Sequence, residues 1–378
     1  MALKSKSPIN NKILEWFISD FNLTPAEVAK KVGTTPAKVE SWIDGSDSPT
    51  YTQAERLAYD VFKKPLAVFF MAEIPVSLSV KKKFRSLPDY IYDITSYKTR
   101  LAINKADFFR TVLSELYATN PSEEPIFRTL RIQSGDDFVK IAETIREVLG
   151  IEHSIQKSFR DVYKGLNYYR NALERLGIFT FQLPLEGERA FCLLDDEFPL
   201  IILNSGDSPN SKIFSMFHEL AHILMGNEDI YSEVYNPIYS NDPNEVYCNK
   251  LAAEILVPIN EFKEQYAADL TVIEESIVQR IANNYCVSKE VILRRFLDIG
   301  KASPGEYKEY KKKWDEDFTK RENTEISYYR TKISALGRTY IRKVIDEFRN
   351  GKINDGQIAN FLGIKYAQLA RIESEVYV

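Results

Sequence analysis

Residues 217–226 read FHELAHILMG and place His218, Glu219 and His222 within five positions of one another. With about 3.6 residues per helical turn, positions i and i+4 stack on one side of a helix, so both imidazoles can reach one ion with Glu219 beside them. Two neutral imidazoles hold a zinc ion without cancelling its charge; a third protein ligand fills three of four tetrahedral positions and the last keeps a water. Such an ion lowers the pKa of that water from about 15.7 to near 7. Glu219, not itself a ligand, would take the proton as the water attacks a peptide carbonyl and later pass it to the leaving amine.

The spacing is the HExxH pattern of zinc peptidases. The competing reading is an amphipathic helix with Phe217, Leu220, Ala221, Leu224 and Met225 as its core stripe and both histidines near its surface. The chain has only three histidines. The third, His153 in IEHSIQKS, lacks a ligand partner at useful spacing and reads as a loop residue or a neighbour of a helix cap. The remaining ligand must come from a second element crossing the first, and the downstream acids are Glu228, Asp229, Glu233, Asp242, Glu245 and Glu254. NEVYCNKLAAEILVP has a helical stripe of Val246, Leu251, Ala252, Ile255 and Leu256, and Glu245 and Asn249 share one of its faces at i and i+4. Glu245 is taken as the third ligand and Asn249 as the partner that fixes a histidine or the carboxylate, with Glu254 as the alternative ligand.

Size and composition bound the setting. A chain of 378 residues suggests two or three domains, and 44% apolar with 28% charged residues is the composition of a soluble globular protein. A net charge of -4 excludes a blanket nucleic-acid binder, so any DNA contact is local. Cys192, Cys248 and Cys286 are odd in number and far apart, which argues against a disulfide framework and for a reducing compartment. MALKSKSPINNK lacks an apolar run, and nothing approaches the ~18 apolar residues of a membrane span, so the expected location is cytoplasmic.

Residues 10–71 read as a small helical domain. Ile13, Leu14, Phe17 and Ile18 form a first stripe; Thr24 caps TPAEVAKKVG with Pro25 at the first helical position and Glu27 three residues after the cap, and Gly33 ends it. Thr35 and Pro36 open a second helix that Gly45 terminates, completing a helix-turn-helix signature. Further helices come next, with Leu57, Ala58, Val61, Phe62 and Leu66 facing inward. In such a motif the second helix enters the major groove, which makes Thr34, Thr35, Lys38 and Ser41 the candidate DNA contacts, with Glu40 as a further candidate. Nearby acids offset Lys30, Lys31, Lys38 and Arg56, so a helical domain that touches protein instead of DNA is the competing reading. The same offsets recur at Ile281-Ala282, Cys286 and Ile292, and at Ile358-Ala359, Gly363 and Leu369; these two are read as helical scaffolding.

VKKKFRSLPDY (80–90) is a basic linker whose Pro88 argues against a long helix. Helical stripes occupy 95–118, 136–149 and 158–176. The period then changes: 177–184, 189–195 and 199–204 are short runs rich in aromatic and branched residues, with DDEF as a hairpin turn between the last two. A small sheet thus leads into the helix from about 211 to 226, and a sheet edge beside a metal can pair with an extended peptide.

FHELAHILMG followed by EVYCNKLAAEILVP resembles the ImmA/IrrE metallopeptidase family, which joins HExxH to a later E-x-x-x-N, an F/L-A-A and a closing L-x-P. The helix-turn-helix, PLAVFF and FRSLP resemble the subgroup with a repressor-like, Xre-type domain ahead of the peptidase. One departure is Cys248, where the family usually has a small residue such as Ala. The resemblance implies His218, His222 and Glu245 as Zn2+ ligands and Glu219 as the catalytic carboxylate. It also implies cleavage of a transcriptional repressor that carries a helix-turn-helix, controlling stress or mobile-element genes.

The expected architecture is mainly α with a small β-sheet (α+β). It comprises a helix-turn-helix bundle at 1–74, a linker at 75–92, a zincin-like domain at 93–302 and a helical C-terminal region at 303–378. Expected partners are a protein substrate and DNA through the first domain, with no membrane and with a homodimer as one available assembly. A second reading, from a different class, is a DNA-binding regulator or antitoxin-like protein whose zincin-like domain is a non-catalytic sensor or partner-binding module. Retention of Glu219 favours the peptidase, because a scaffold gives no reason to keep it.

Overall fold

The structure is a computed structural model that describes residues 6–75, 95–118, 126–159, 161–226, 230–232, 242–266, 274–317 and 327–377. The chain divides into two compact units, one of Met1–Phe108 with Pro184–Glu186 and one of Phe109–Leu183 with Gly187–Val378. The fold is mainly helical with one small sheet, as the periodicities imply. The basic stretch at 80–90, FRSLP included, lies outside the described residues.

The first unit opens with α1 (Asn11–Asp20), α2 (Pro25–Val32), α3 (Pro36–Ile43) and α4 (Tyr51–Glu55), the last running on as a π-helical turn over Arg56–Phe62. The start of α2 is capped reciprocally: the Thr24 N–H donates to Glu27 Oε2 at 2.8 Å and the Glu27 N–H to Thr24 Oγ1 at 3.3 Å. Gly33 closes the helix at φ 77°, a left-handed conformation that glycine reaches without a steric penalty. Two details differ from expectation. Thr35 makes no side-chain cap, although Gly45 at φ 78° does end α3, just past Asp44. Leu66 is only half-buried, and Phe69 fills the core instead, with ring centroids 5.2 Å from Phe17 and 5.8 Å from Phe62. The reason is local: after Lys63 the chain tightens into a 3-10 turn over Leu66–Phe70, which shifts the inward position from a period of about 3.6 to about 3.

Helix α5 (Tyr97–Tyr117) contributes to both units. The second unit then contains α6 (Phe138–Leu149), α7 (His153–Ser158), α8 (Val162–Arg175), β1 (Phe179–Leu183), β2 (Glu188–Leu193), β3 (Leu200–Asn204), α9 (Pro209–Met225), β4 (Ile230–Ser232), α10 (Pro243–Leu256), α11 (Ile259–Tyr266), α12 (Glu275–Tyr285), α13 (Lys289–Asp298) and α14 (Pro304–Asp317). It ends with α15 (Tyr328–Leu336), α16 (Arg338–Arg349), α17 (Asp355–Leu362) and α18 (Leu369–Val376). The sheet order is β1-β3-β2-β4, with β1 parallel to β3 and the other pairs antiparallel. Asp195 turns the β2–β3 hairpin, its Oδ1 accepting from the N–H groups of Glu197 and Phe198 at 2.9 and 3.0 Å. The short β4 has no counterpart among the expected strands.

The tail at α15 is fastened to β1 and α8 through a buried charge. Arg170 on α8 donates from Nε to Glu174 Oε1 at 3.0 Å, from Nη1 to the Ser334 carbonyl at 2.6 Å, and from Nη2 to the Thr180 carbonyl. Gln182 Nε2 adds a bond to the same Ser334 carbonyl at 3.0 Å. The guanidinium therefore satisfies carbonyls at the end of α15, which the helix itself leaves without partners. Gly337 is required alongside it, since a Cβ there would stand 2.6–2.8 Å from the guanidinium. Burial pushes the Glu174 carboxyl up, and the Arg170 charge opposes that shift. Arg170→Met should thus strand Glu174 as an uncompensated buried acid and cost about 3–5 kcal/mol in denaturant unfolding. Arg170→Met with Glu174→Leu should recover the part of that loss that comes from the stranded acid, and the cost of the lost bonds to the Ser334 and Thr180 carbonyls should remain; equal losses in both variants would show that the stranded acid contributes nothing.

Candidate metal centre

Helix α9 is built to lie inside the protein. Ser208 caps it, accepting from the Ser211 N–H at 3.3 Å, Pro209 occupies its first turn, and Gly226 ends it at φ 76°. It packs against α8, β2, β3 and α10, and nearly every residue from Lys212 to Leu224 is buried. His218 and Glu219 are each 0% exposed and His222 is 3% exposed. This excludes the amphipathic reading with both histidines near the surface. The apolar residues between them do form core, so α9 is buried all round.

Three side chains converge. His218 Nε2 stands 3.1 Å from His222 Nε2, and the Glu245 carboxylate reaches both, at 3.3 Å from His218 Nε2 and 3.1 Å from His222 Nε2. Their donor atoms lie within 4.8 Å of one another, a grouping that can hold a metal ion. Asn249, one turn beyond Glu245 on α10, accepts from His218 Nδ1 at 3.1 Å and donates through Nδ2 to the Glu245 carbonyl at 2.9 Å. A proton on Nδ1 leaves the Nε2 lone pair directed at the convergence point.

The electrostatics agree with this arrangement. Burial pushes the His218 imidazole down, against the opposing hydrogen bond with Glu245. Burial acts in the opposite sense on Glu245, but its hydrogen bonds with His218 and His222 outweigh it and hold the carboxyl well below its usual range. A neutral imidazole and an ionised carboxylate are the forms that bind metals, and two imidazoles with one carboxylate suit zinc. The donor set therefore fits the ion.

Among the other downstream acids, Asp242 caps α10, accepting from the Asn244 N–H at 2.9 Å. Glu254, the alternative ligand, is turned away: its Oε2 accepts from Arg295 Nη2 at 2.8 Å and its Oε1 from the Ile259 N–H at 2.9 Å. Glu228, Asp229 and Glu233 lie outside the described residues. His153 begins α7 and stands 3.0 Å from Glu261 through Nδ1, so it is part of a side-chain cluster and not of a bare loop. Cys248 is the residue that sequence reasoning undervalued. It is fully buried within hydrogen-bond reach of His222, and burial raises its thiol pKa. Its position three residues after Glu245 was the available signal.

The end of α10 explains how Glu245 is held in register. The Ile255 carbonyl accepts from Arg146 Nη1 at 2.6 Å, the Leu256 carbonyl from Gln156 Nε2 at 2.9 Å and the Val257 carbonyl from Arg295 Nε at 2.9 Å. Side chains of α6, α7 and α13 thus take up carbonyls that Pro258 and the helix end leave open. In the other unit, Thr34 is half-buried in the α2–α3 turn, Thr35 and Lys38 are exposed at the start of α3, and Ser41 donates its hydroxyl to the Lys38 carbonyl at 2.7 Å.

Fold and site together define the class: a mainly helical protein with a small sheet whose buried helix presents a His-His-Glu donor set. Residues 173–297, which span β1 to β4, α9, α10 and nearly all of α13, match the family model described as Peptidase_M78, IrrE N-terminal-like domain. The match supports the ImmA/IrrE family and a zincin-like metallopeptidase over that stretch. Comparison with curated proteins gives no match. Among the described residues, no helix is long and apolar enough to cross a membrane.

Metal analysis of the purified full chain tests the donor set. His218→Ala or Glu245→Ala should abolish stoichiometric zinc, and Asn249→Ala should weaken its binding by about 10–100-fold. His153→Gln and Glu254→Gln should leave the stoichiometry unchanged. Unchanged zinc content in His218→Ala or Glu245→Ala would rule out this site.

Proposed function

We propose that the protein is a zinc-dependent endopeptidase that cleaves a transcriptional repressor or related regulatory protein carrying a helix-turn-helix. The observation that carries this reading is the convergence of His218, His222 and Glu245 within 4.8 Å, beside a buried Glu219 on the same helix. His218, His222 and Glu245 would be the ligands and Asn249 the residue that fixes the His218 tautomer. Bound there, zinc would supply the Lewis acidity that polarises a peptide carbonyl and makes water nucleophilic near neutral pH. Glu219 would accept a proton from the attacking water as its oxygen bonds to the carbonyl carbon, then deliver that proton to the nitrogen as the C–N bond breaks.

Residues 1–74 would form a repressor-like recognition domain, 93–302 the peptidase and 303–378 a helical region fastened to it. In the first domain Thr34, Thr35, Lys38 and Ser41 would meet DNA. Of the four, Lys38 carries the charge that a phosphate contact needs.

Glu219→Gln should retain zinc and abolish cleavage of a helix-turn-helix protein encoded beside the gene and co-expressed with it. Equal cleavage by wild type and variant would eliminate the mechanism; binding of the neighbour without any cut would favour the non-catalytic partner-binding module. DNA contact is a separate prediction, read by gel shifts on the protein's own promoter. Lys38→Ala should weaken binding across sequences and reduce the slope of log affinity against log salt by about one. No shift at low salt would make the first domain a protein-recognition module.

A further inference from the structure

A cavity of about 580 Å³ lies among α9, α10, α13 and α14, with Asn249 in its wall. Its α9 wall, Ser211, Phe214 and Ser215, precedes His218 by one and two turns, and its α10 wall runs from Val246, next to Glu245, through Asn249 to Glu254. Asn249 is therefore shared between the cavity and His218. The volume falls in the ~300–1,000 Å³ range of small-molecule pockets, which combine apolar walls with a few converging polar groups. Phe138, Phe214 and Val291 supply the apolar part.

The charges in the lining are unequal. Arg295 is bound to Glu254 at 2.8 Å and to Asp298 at 3.1 Å, and Lys311 to Glu290 at 3.0 Å, so all three lining carboxylates already hold a cation. Of the other lining cations, Arg189, Lys250 and Arg294, none takes part in those three pairs. Among the described residues Lys250 sits 6.0 Å from the Phe138 ring and Arg294 bonds the Tyr307 hydroxyl. Lys250 and Arg294 are both placed to receive a negative charge without breaking any of those pairs. Nothing in the proposed peptidase step uses them.

We propose that this cavity binds a small organic anion bearing carboxylate or phosphate groups, held by Lys250 and Arg294, and that Asn249 transmits its occupancy to His218. An anionic oxygen accepting from the second N–H of Asn249 Nδ2 would pull on the carboxamide's orientation and so change its grip on His218 Nδ1. The coupling rests on the proposed metal site. The anion site does not, and it is measured on metal-free protein.

The full chain, stripped of metal, is titrated calorimetrically at constant ionic strength with inorganic phosphate, pyrophosphate, citrate, adenosine monophosphate and a tetraglutamate peptide. At least one of the four small anions should bind saturably with a Kd of about 1 mM or below, and Lys250→Met and Arg294→Gln should each weaken it about tenfold or more. Circular dichroism checks that both variants are folded. The bound anion should change zinc affinity by about fivefold or more, and zinc should change anion affinity by the same factor. Saturable binding by none of the small anions, binding indifferent to both substitutions, or preference for the peptide would overturn the anion site. Anion binding with unchanged zinc affinity would overturn the coupling alone. Anion binding to a protein that takes up no zinc would overturn the metal site, and the coupling with it, while the anion site stood.

Discussion

The arrangement of the second unit depends on burying two imidazoles and two carboxylates inside one helix pair. A charged group taken from water into a protein interior is costly unless another group answers it. Here Glu245 faces His218 and His222 together, and Asn249 engages the outer nitrogen of His218. Apolar side chains then occupy most of the positions around them. Leu220, Ala221, Ile223 and Leu224 fill the remaining surface of α9, and Leu251, Ala252, Ile255 and Leu256 do the same for α10. The polar cluster and the core around it are one region, held by the same two helices.

Such a cluster works only if the helices cannot slide past each other. A shift of α10 by one residue, about 1.5 Å of rise and 100° of rotation, would carry Glu245 off the convergence point. The opposition to that shift lies about three turns away, where Arg146, Gln156 and Arg295 hold the three successive carbonyls of Ile255, Leu256 and Val257. Each of these donors is anchored in turn: Arg146 also donates to Gln156, Gln156 to the Tyr169 hydroxyl, and Arg295 to Glu254. A buried pair such as Arg295–Glu254 adds little to stability compared with an apolar replacement. Its value here is positional, because both members also fix backbone at the end of α10.

Much of this is legible from residue types, and the rest fails to show in a sequence for physical reasons. Helical period, the Thr24–Glu27 capping pair, the DDEF turn and the three longer strands are local, and each is set by a few neighbouring residues. The histidine spacing is local as well. Glu245 and Glu254 can be ranked from sequence only by supposing which face of α10 turns inward; the choice is decided by Arg295, forty-one positions away from Glu254. The burial of α9 on all sides is hidden because an apolar stripe reads the same whether the opposite face meets water or a second layer of protein. The strand β4 is three residues long, too short for alternation to register.

The three hairpins with shared offsets show how far a local pattern can be pushed. Gly33, Cys286 and Gly363 all end their helices in the left-handed region, at φ 77°, 54° and 60°. The pattern therefore specifies a turn, and it specifies it strongly enough that a cysteine is held where glycine is easier. Its side chain finds room against Gly165, where a Cβ would approach the Cys286 sulfur to 3.0 Å. The segment beyond each turn is left unspecified. After Gly33 the second helix keeps Thr35 and Lys38 outward; after Cys286, α13 buries Ile292, Leu293, Arg295 and Phe296 and helps to clamp α10; after Gly363 the chain passes through a 3-10 turn before α18. One turn chemistry thus serves a solvent-facing helix in one place and a wall of the core in another. The task of each hairpin is set by its outward residues, not by the motif that folds it.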